Sequence, residues 1–191
     1  SAASDVYKRQ DRNPVERRIV LDTLERMFGS GGCGIMDGFD VRVNYKDIIC
    51  RFKDGREIPV SILSDGYRRL FSIVIDLAFR CALLNSHTLG AEAALKTHGT
   101  VIIDEIDLHL HPSLQAVVTK ALCRTFPNLQ FIITSHAPLV MSGVENNDRN
   151  RVLYLEYDKE NGSYTISSVD TFGMDLSTLA ESVLNLSLIH I

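Results

Sequence analysis

Two short apolar runs in the second half of the chain predict neighbouring parallel strands. Residues 100 to 103 and residues 131 to 133 are rich in Val and Ile, a pattern typical of strands that are covered on both faces. Between them, apolar side chains recur at helical spacing after Pro112, a residue that favours the first turn of a helix; they are Leu114, Val117, Val118, Ala121 and Leu122. The pattern predicts one helix that crosses over between two buried parallel strands.

The upstream pattern predicts two further helices and a small antiparallel β patch. Residues 14 to 28 have helical spacing, and the side chains directed inward are Val15, Ile19, Leu24 and Met27. From residue 67 a long helix presents a buried face formed by Leu70, Ile73, Val74, Leu77, Cys81 and Leu84. Between the two helices, residues 39 to 44, 48 to 53 and 57 to 60 alternate like strands, with a tight turn at Asp54 and Gly55.

The remaining segments complete a single α/β domain. Residues 85 to 99 are expected to form a surface loop or a short helix, and residues 176 to 184 a terminal helix. Residues 151 to 157 and 163 to 168 predict a hairpin around Asn161 and Gly162. A chain of 191 residues can bury one core.

Composition and charge narrow the classes of partner. The net charge of −4 gives no support for a broad nucleic-acid-binding face, although a local basic patch is compatible with it. The four cysteines are widely spaced, which indicates neither a zinc knuckle nor a disulfide framework and favours reduced, cytoplasmic thiols. No apolar run is expected to reach the length that spans a bilayer, so no membrane partner is predicted.

Polar residues follow both predicted strands directly. Asp104 and Glu105 end the first strand, and Ser135 and His136 follow the second. A right-handed crossover brings both pairs to the carboxyl edge of the sheet, where open α/β sheets bind ligands. Such an Asp is a hard oxygen ligand suited to Mg²⁺, and the adjacent Glu can accept a proton from an attacking water. An isolated acidic pair is more often a solvated loop, and the second pair is what favours a site.

The start of the long second helix has features of an anion site. Ser64 suits the N-cap position, Gly66 permits close backbone approach, and the free amide groups of a helix start favour an anion. Taken alone, the segment is equally typical of a capped structural helix. Arg68 and Arg69 follow this segment. They could bind a phosphate or contact a partner, or one of them could be merely an exposed, solvated charge.

These segments together resemble the motifs of ABC-type ATPases. The run ending in Asp104 and Glu105 resembles their Walker B motif, residues 63 to 69 their signature motif, and residues 108 to 111 their D-loop, while His136 falls at their switch histidine. Within that superfamily the sequences of these motifs most resemble those of AAA-family ATP-binding proteins of the SMC, RecF and OLD-like branch. The resemblance covers roughly residues 13 to 185. His111 departs from the pattern, because transporter D-loops usually end in Asp.

The resemblance implies a P-loop NTPase-type sheet with buried parallel strands and flanking helices, and a Mg²⁺-dependent ATP hydrolase of DNA repair or antiphage defence. It assigns Asp104 to Mg²⁺, Glu105 to activation of the attacking water and His136 to the γ-phosphate. The nucleotide-binding residues would be Ser64, Asp65, Gly66, Arg68 and His111, and Ser64 and Gly66 would act across the interface of a head-to-tail homodimer.

One motif of such enzymes is missing from the sequence. No Gly-Lys pair occurs, whereas a phosphate-binding P-loop needs one. Residues 29 to 34 are glycine-rich but follow no apolar strand, and we interpret them as a flexible loop. Residues 1 to 10 and 186 to 191 resemble translated sequencing adapters and are expected to be non-native. We therefore expect residues 11 to 185 to be the C-terminal part of one ATPase domain, truncated at its N-terminus and inactive alone.

Two alternatives stay open. His109 and His111, with Asp104, Glu105 and Asp107 nearby, could belong to a transition-metal hydrolase site, since imidazole and carboxylate suit Zn or Mn. Alternatively, the protein could be a nucleotide-responsive assembly module that controls a partner nuclease or toxin and has little turnover of its own.

Overall fold

Two helices that pack side by side form the centre of the core. The computed structural model describes residues 14–42, 47–145, 147–158, 161–175 and 177–179. Helix α1 (Pro14–Phe28) lies against helix α2 (Asp65–Leu89). Phe28 stacks on Phe71 with ring centroids 4.0 Å apart. Both rings are fully buried, so this aromatic pair fixes how the two helices meet.

The inward faces of these helices agree with the predicted spacing except at their ends. Ile19, Leu24 and Met27 are fully buried, as predicted. Val15 is 43% exposed, because it lies in the first turn of α1. Leu84 is 64% exposed, because α2 runs on past its last buried residue, Ala82. The buried face of α2 is therefore shorter than predicted.

Helix α2 is also longer than predicted. It continues to Leu89 and is followed by a 3-10 helix, Gly90–Glu92, and by helix α3 (Ala93–Lys96). The segment Asp65–Lys96 has the length and hydropathy of a membrane span, contrary to the expectation that no run approaches that length. Because Leu70, Phe71 and Val74 lie in the core of the protein, its apolar character has a structural role in this fold.

A three-stranded antiparallel sheet lies between α1 and α2 in the sequence. Its strands are β1 (Met36–Arg42), β2 (Asp47–Phe52) and β3 (Glu57–Pro59), with β2 in the middle. The predicted turn joins β2 to β3, and Gly55 there has a φ of 83°, which a residue without Cβ adopts easily. A 3-10 helix, Val60–Ile62, leads into α2. The predicted antiparallel patch is confirmed; its predicted residue 44 lies outside the described residues.

A parallel pair, β4 (Gly99–Ile103) and β5 (Leu129–Ile133), carries the predicted crossover. Val101 pairs with Phe131 and Ile103 with Ile133. The connection contains two helices rather than one, α4 (Pro112–Gln115) and α5 (Val118–Thr125). Val117 interrupts them, since its φ of −121° departs from helical geometry. The parallel strands of the predicted α/β fold are confirmed.

The burial of β4 and β5 differs from the prediction. Ile103 is buried and Phe131 packs against the core, but Ile102 is 74% exposed and Ile132 48% exposed. The α helices pack on one face of the pair, and no described element covers the other. The two strands are therefore buried on one side within the part of the chain that the structure describes.

The last described segments are helix α6 (Pro138–Ser142) and a hairpin. The hairpin consists of β6 (Val152–Asp158) and β7 (Ser163–Val169), with Gly162 at a φ of 61° in its turn, as predicted. Its pairing places Leu155 opposite Ile166, and both are exposed. Residues 177 to 179 are helical, and the rest of the predicted terminal helix lies outside the described residues.

Candidate active site at the carboxyl ends of the parallel strands

Thr134 joins the ends of β4 and β5. The amide of Thr134 donates to the carbonyl of Ile103 over 3.0 Å, and the amide of Ile106 donates to the carbonyl of Thr134 over 3.1 Å. The hydroxyl of Thr134 donates to the carboxylate of Asp104 and accepts the amide of Glu105 at 2.9 Å. The structure thus brings the two predicted polar pairs to one edge of the sheet.

A second bridge lies one residue further along. The hydroxyl of Ser135 donates to the carboxylate of Asp107 over 2.6 Å and accepts the amide of Ala137 at 3.1 Å. Because a bonded hydroxyl has little freedom to rotate, this bridge fixes the turn that carries His136. His136 itself is exposed, and its ring makes no hydrogen bond with any described residue.

Glu105 has an unusual backbone conformation. Its φ is 49°, in the left-handed region that residues with a Cβ enter rarely. Its side chain is exposed, and its carboxylate forms no hydrogen bond or ion pair within the described ranges. A strained residue with a free carboxylate at a strand end is typical of a functional position.

Arg69 holds the same turn from the side of α2. One guanidinium nitrogen donates to the carbonyl of Glu105 over 2.7 Å, and the other donates to the carbonyl of Asp104 over 2.8 Å. The first also lies 3.4 Å from the carbonyl of Leu108. The sequence alone leaves the role of Arg69 open. Its only signal was its position three residues after Gly66, on the same face of the helix.

Gly66 is where the start of α2 touches the segment that follows Glu105. A Cβ built on Gly66 would lie 2.1 Å from the carbonyl oxygen of His109, so only glycine fits. His109 has a φ of 63°. The predicted close approach at Gly66 is therefore observed, and the partner is the backbone of this chain.

The other residues of the signature segment are only partly as predicted. Ser64 occupies the N-cap position, but its hydroxyl makes no capping hydrogen bond to the described helix. Asp65 forms an ion pair with Arg68, and the hydrogen bond and positive charge of that guanidinium lower the pKa of Asp65. Arg68 is thus engaged with a carboxylate on its own helix.

His111 caps helix α4. Its Nδ1 accepts the amide of Ser113 at 3.3 Å and lies 2.8 Å from the hydroxyl of the same residue. Across the described ranges, no three or more His, Cys, Asp or Glu side chains cluster as they would around a metal ion. Within those ranges these residues do not form the ligand cluster that the transition-metal hydrolase alternative needs.

Magnesium makes different demands. It is commonly held by one or two carboxylates together with the phosphates of the substrate, so it needs no cage of protein ligands. Asp104 is exposed at the strand end, and Thr134 holds its carboxylate in place. This donor fits Mg²⁺ bound with a nucleotide.

The glycine-rich residues 29 to 34 do not form a phosphate loop. They follow helix α1, and their amides bind carbonyls of that helix and turn: Gly29 to Glu25 at 2.8 Å and Cys33 to Met27 at 2.7 Å. A Cβ on Gly32 would lie 2.1 Å from the carbonyl oxygen of Met27. The segment forms hydrogen-bonded turns after helix α1, so the predicted loop is observed, and its flexibility stays a prediction.

Comparison with known proteins gives one family and several relatives. Residues 5 to 142, more than half of the chain, match the family described as "AAA domain, putative AbiEii toxin, Type IV TA system". The chain is 42% identical over 105 residues to "Retron Vc95 probable ATPase" of Vibrio cholerae, covering 55% of this chain and 20% of that protein. It is 29% identical over 119 residues to "Septu protein PtuA" of Bacillus thuringiensis, covering 60% of this chain and 30% of that protein. The chain thus spans less than a third of these curated relatives.

Solved structures agree on the fold. The SMC head domain of Thermotoga maritima aligns with a TM-score of 0.53 and 17% identity, covering 87% of this chain and 52% of that one. A second structure is described as "Structural biochemistry of ATP-driven dimerization and DNA stimulated activation of SMC ATPases". It aligns with a TM-score of 0.55 at 13% identity, and the alignment covers 88% of this chain and 90% of that one. Both likenesses support the predicted P-loop NTPase-type fold.

Proposed function

Because the chain belongs to the family described as "AAA domain, putative AbiEii toxin, Type IV TA system", we propose that it contributes the hydrolytic edge of a Mg²⁺-dependent ATPase site. The observation that carries the proposal is the turn after β4. There Thr134 holds the carboxylate of Asp104, while the neighbouring carboxylate of Glu105 is exposed and without a partner among the described residues. The held carboxylate of Asp104 suits a metal ligand, and the free carboxylate of Glu105 suits a proton acceptor.

Each residue of this edge then has a distinct task. Asp104 would hold Mg²⁺, which supplies charge neutralisation to the phosphates when it is bound. Glu105 orients the attacking water and takes its proton. His136, exposed at the end of β5, binds the γ-phosphate. Catalysis rests on positioning and on compensation of negative charge.

The start of α2 acts across a subunit boundary in this proposal. Two copies of the domain would meet head to tail around ATP, and Ser64, Asp65 and Gly66 of one copy would face the nucleotide held by the other. The SMC structure described with ATP-driven dimerization has the same fold and supports this arrangement by analogy. We assign Arg68 and His111 to the same boundary, where Arg68 would exchange Asp65 for phosphate.

The test compares Glu105→Gln with the unchanged protein, in the product of the complete gene. The sequence contains no Gly-Lys pair, so the 191-residue chain alone is expected to show no turnover. In the complete product, Glu105→Gln should lower kcat by about 100-fold or more, the scale of a lost general base, while ATP affinity stays within about threefold.

Glu92→Gln is the matched control, because Glu92 is exposed, pairs with Lys96 and precedes β4, whereas Glu105 follows the other end of that strand. Its turnover should equal that of the unchanged protein. If Glu105→Gln hydrolyses ATP as fast as Glu92→Gln, Glu105 has no catalytic role and the proposal fails.

A second candidate function is a nucleotide-responsive module that controls a partner nuclease or toxin. The family description names a toxin, and the relatives carry retron and Septu names. We propose that the protein acts in the cytoplasm, in antiphage defence or DNA repair. Here ATP binding alone would gate the partner, so Glu105→Gln would still assemble with it on addition of ATP. Dissociation of the complex that depends on Glu105 would favour the hydrolase.

A further inference from the structure

Arg69 connects the start of α2 with the turn that carries Glu105. It lies three residues after Gly66, on the same side of the helix. Its two terminal nitrogens reach the carbonyls of Glu105 and Asp104 at 2.7 and 2.8 Å. A guanidinium is a planar fork that can hold two acceptors at once, so it fixes both peptide groups relative to the helix.

The peptide groups on both sides of Glu105 are thereby restrained. The amide of Glu105 donates to Thr134 over 2.9 Å, and its carbonyl accepts from Arg69. A φ of 49° is unfavourable for a residue with a Cβ and persists only where surrounding groups enforce it. Because this backbone sets the direction of the side chain, Thr134 and Arg69 together aim the Glu105 carboxylate.

The geometry points to Arg69 as a positioning residue of the hydrolytic edge. It does not touch substrate; it holds the backbone of Glu105 and ties that backbone to helix α2, whose N-cap is Ser64. This inference rests on the proposed function, because it gives Glu105 the catalytic task. It adds a physical link between the helix start, which would contact nucleotide on a second copy, and the catalytic carboxylate of the same chain.

The experiment measures kcat and ATP affinity for Arg69→Ala and Arg69→Lys in the product of the complete gene. Arg69→Ala should lower kcat by about 10- to 100-fold, since displacement of a catalytic group by about 1 Å can cost that much. Affinity for a non-hydrolysable ATP analogue should stay within about threefold. Arg69→Lys should recover only part of the rate, because one ammonium cannot bridge two carbonyls as the fork does.

Arg80→Ala is the matched control, since Arg80 lies on the same helix and pairs only with Asp76 in the described structure. It should retain the full rate. The inference is overturned if Arg69→Ala turns over like Arg80→Ala, if Arg69→Lys restores the full rate, or if kcat, affinity and melting temperature of Arg69→Ala all fall together. Glu105→Gln is measured alongside: if that variant is also fully active, the proposed function itself has failed, whereas an inactive Glu105→Gln beside a fully active Arg69→Ala removes only the role of Arg69.

Discussion

Replacing Gly66 by Ala should push the start of α2 away from the segment after Glu105. The added Cβ would lie 2.1 Å from the carbonyl oxygen of His109, 2.8 Å from its carbonyl carbon and 3.2 Å from the Cα of Leu110. All three atoms are backbone, so no side-chain rotation relieves the contact. Ordinary contact begins at 3.4 Å, so helix and turn must separate by about 1.3 Å.

Two effects of opposite sign decide the size of the change. Overpacking of this kind costs about 1–3 kcal/mol. Alanine is favoured over glycine inside a helix by about 1 kcal/mol, and by less in the first turn, where Gly66 lies. The clash should therefore win, with a net loss of about 1–2 kcal/mol. For a chain of this length that corresponds to a fall in Tm of about 2–8 °C.

Thermal and urea unfolding of the chain test this expectation, with Gly31→Ala as the control. A Cβ on Gly31 meets nothing within 4 Å, and its φ is not positive, so Gly31→Ala should be neutral or gain up to about 1 kcal/mol. If Gly66→Ala is as stable as Gly31→Ala, the close approach described above does not exist in solution.

Two other changes test contacts of the same structure. Thr134→Val removes the hydroxyl that joins Asp104 and Glu105, and it should lower the free energy of unfolding in urea by about 1–2 kcal/mol. The loss is smaller than that of two buried hydrogen bonds because water reaches the site. The control Thr100→Val, on the exposed side of β4, should lower it by less, and equal losses would contradict the bridge. Hydrogen bonds from the hydroxyl and amide of Thr178 lower the pKa of Asp175 below its ordinary 3.8. A carboxyl whose pKa is lowered by folding stabilises the fold at pH values above its ordinary pKa, and this stability is lost as the pH falls through the lowered pKa. Asp175→Asn should therefore flatten the acid limb of a plot of unfolding midpoint against pH. An unchanged acid limb would rule this contribution out.

The elements with a strong local pattern could be predicted from the sequence. A local pattern of about ten positions, either hydrophobic periodicity or a turn residue, predicts helix α1, the hairpin and the parallel pair. The split of the crossover helix at Val117 had no such signal, because Val is tolerated in helices. The exposure of Ile102 could not be foreseen either, since composition tells that a strand is apolar but not which elements cover it.

Some residues of the candidate site could also be predicted from the sequence, and others could not. Asp104, Glu105 and Gly66 were identified because side-chain chemistry and the absence of a Cβ can be read from residue type. The hydrogen bonds of Arg69 end on backbone carbonyls, which every residue has, so no pattern of letters marks them. The place of His111 in a motif predicts a contact with nucleotide, and no pattern of letters shows that its ring also caps helix α4.

The restraints on Glu105 also bear on when this turn forms during folding. Thr134 and Arg69 are separated from it by 29 and 36 positions along the chain. Contacts of such separation carry a larger loop-closure entropy than those within a helix, so they form after local structure. The local contact of this turn is the hydrogen bond from the amide of Leu108 to the carbonyl of Glu105, 3.1 Å long, and one such bond offsets little of the entropy lost when the turn is ordered. The amide of Glu105 should therefore exchange its hydrogen faster than the amides in the middle of α2, since a partial opening that releases β5 or the start of α2 frees this turn while the helical core persists.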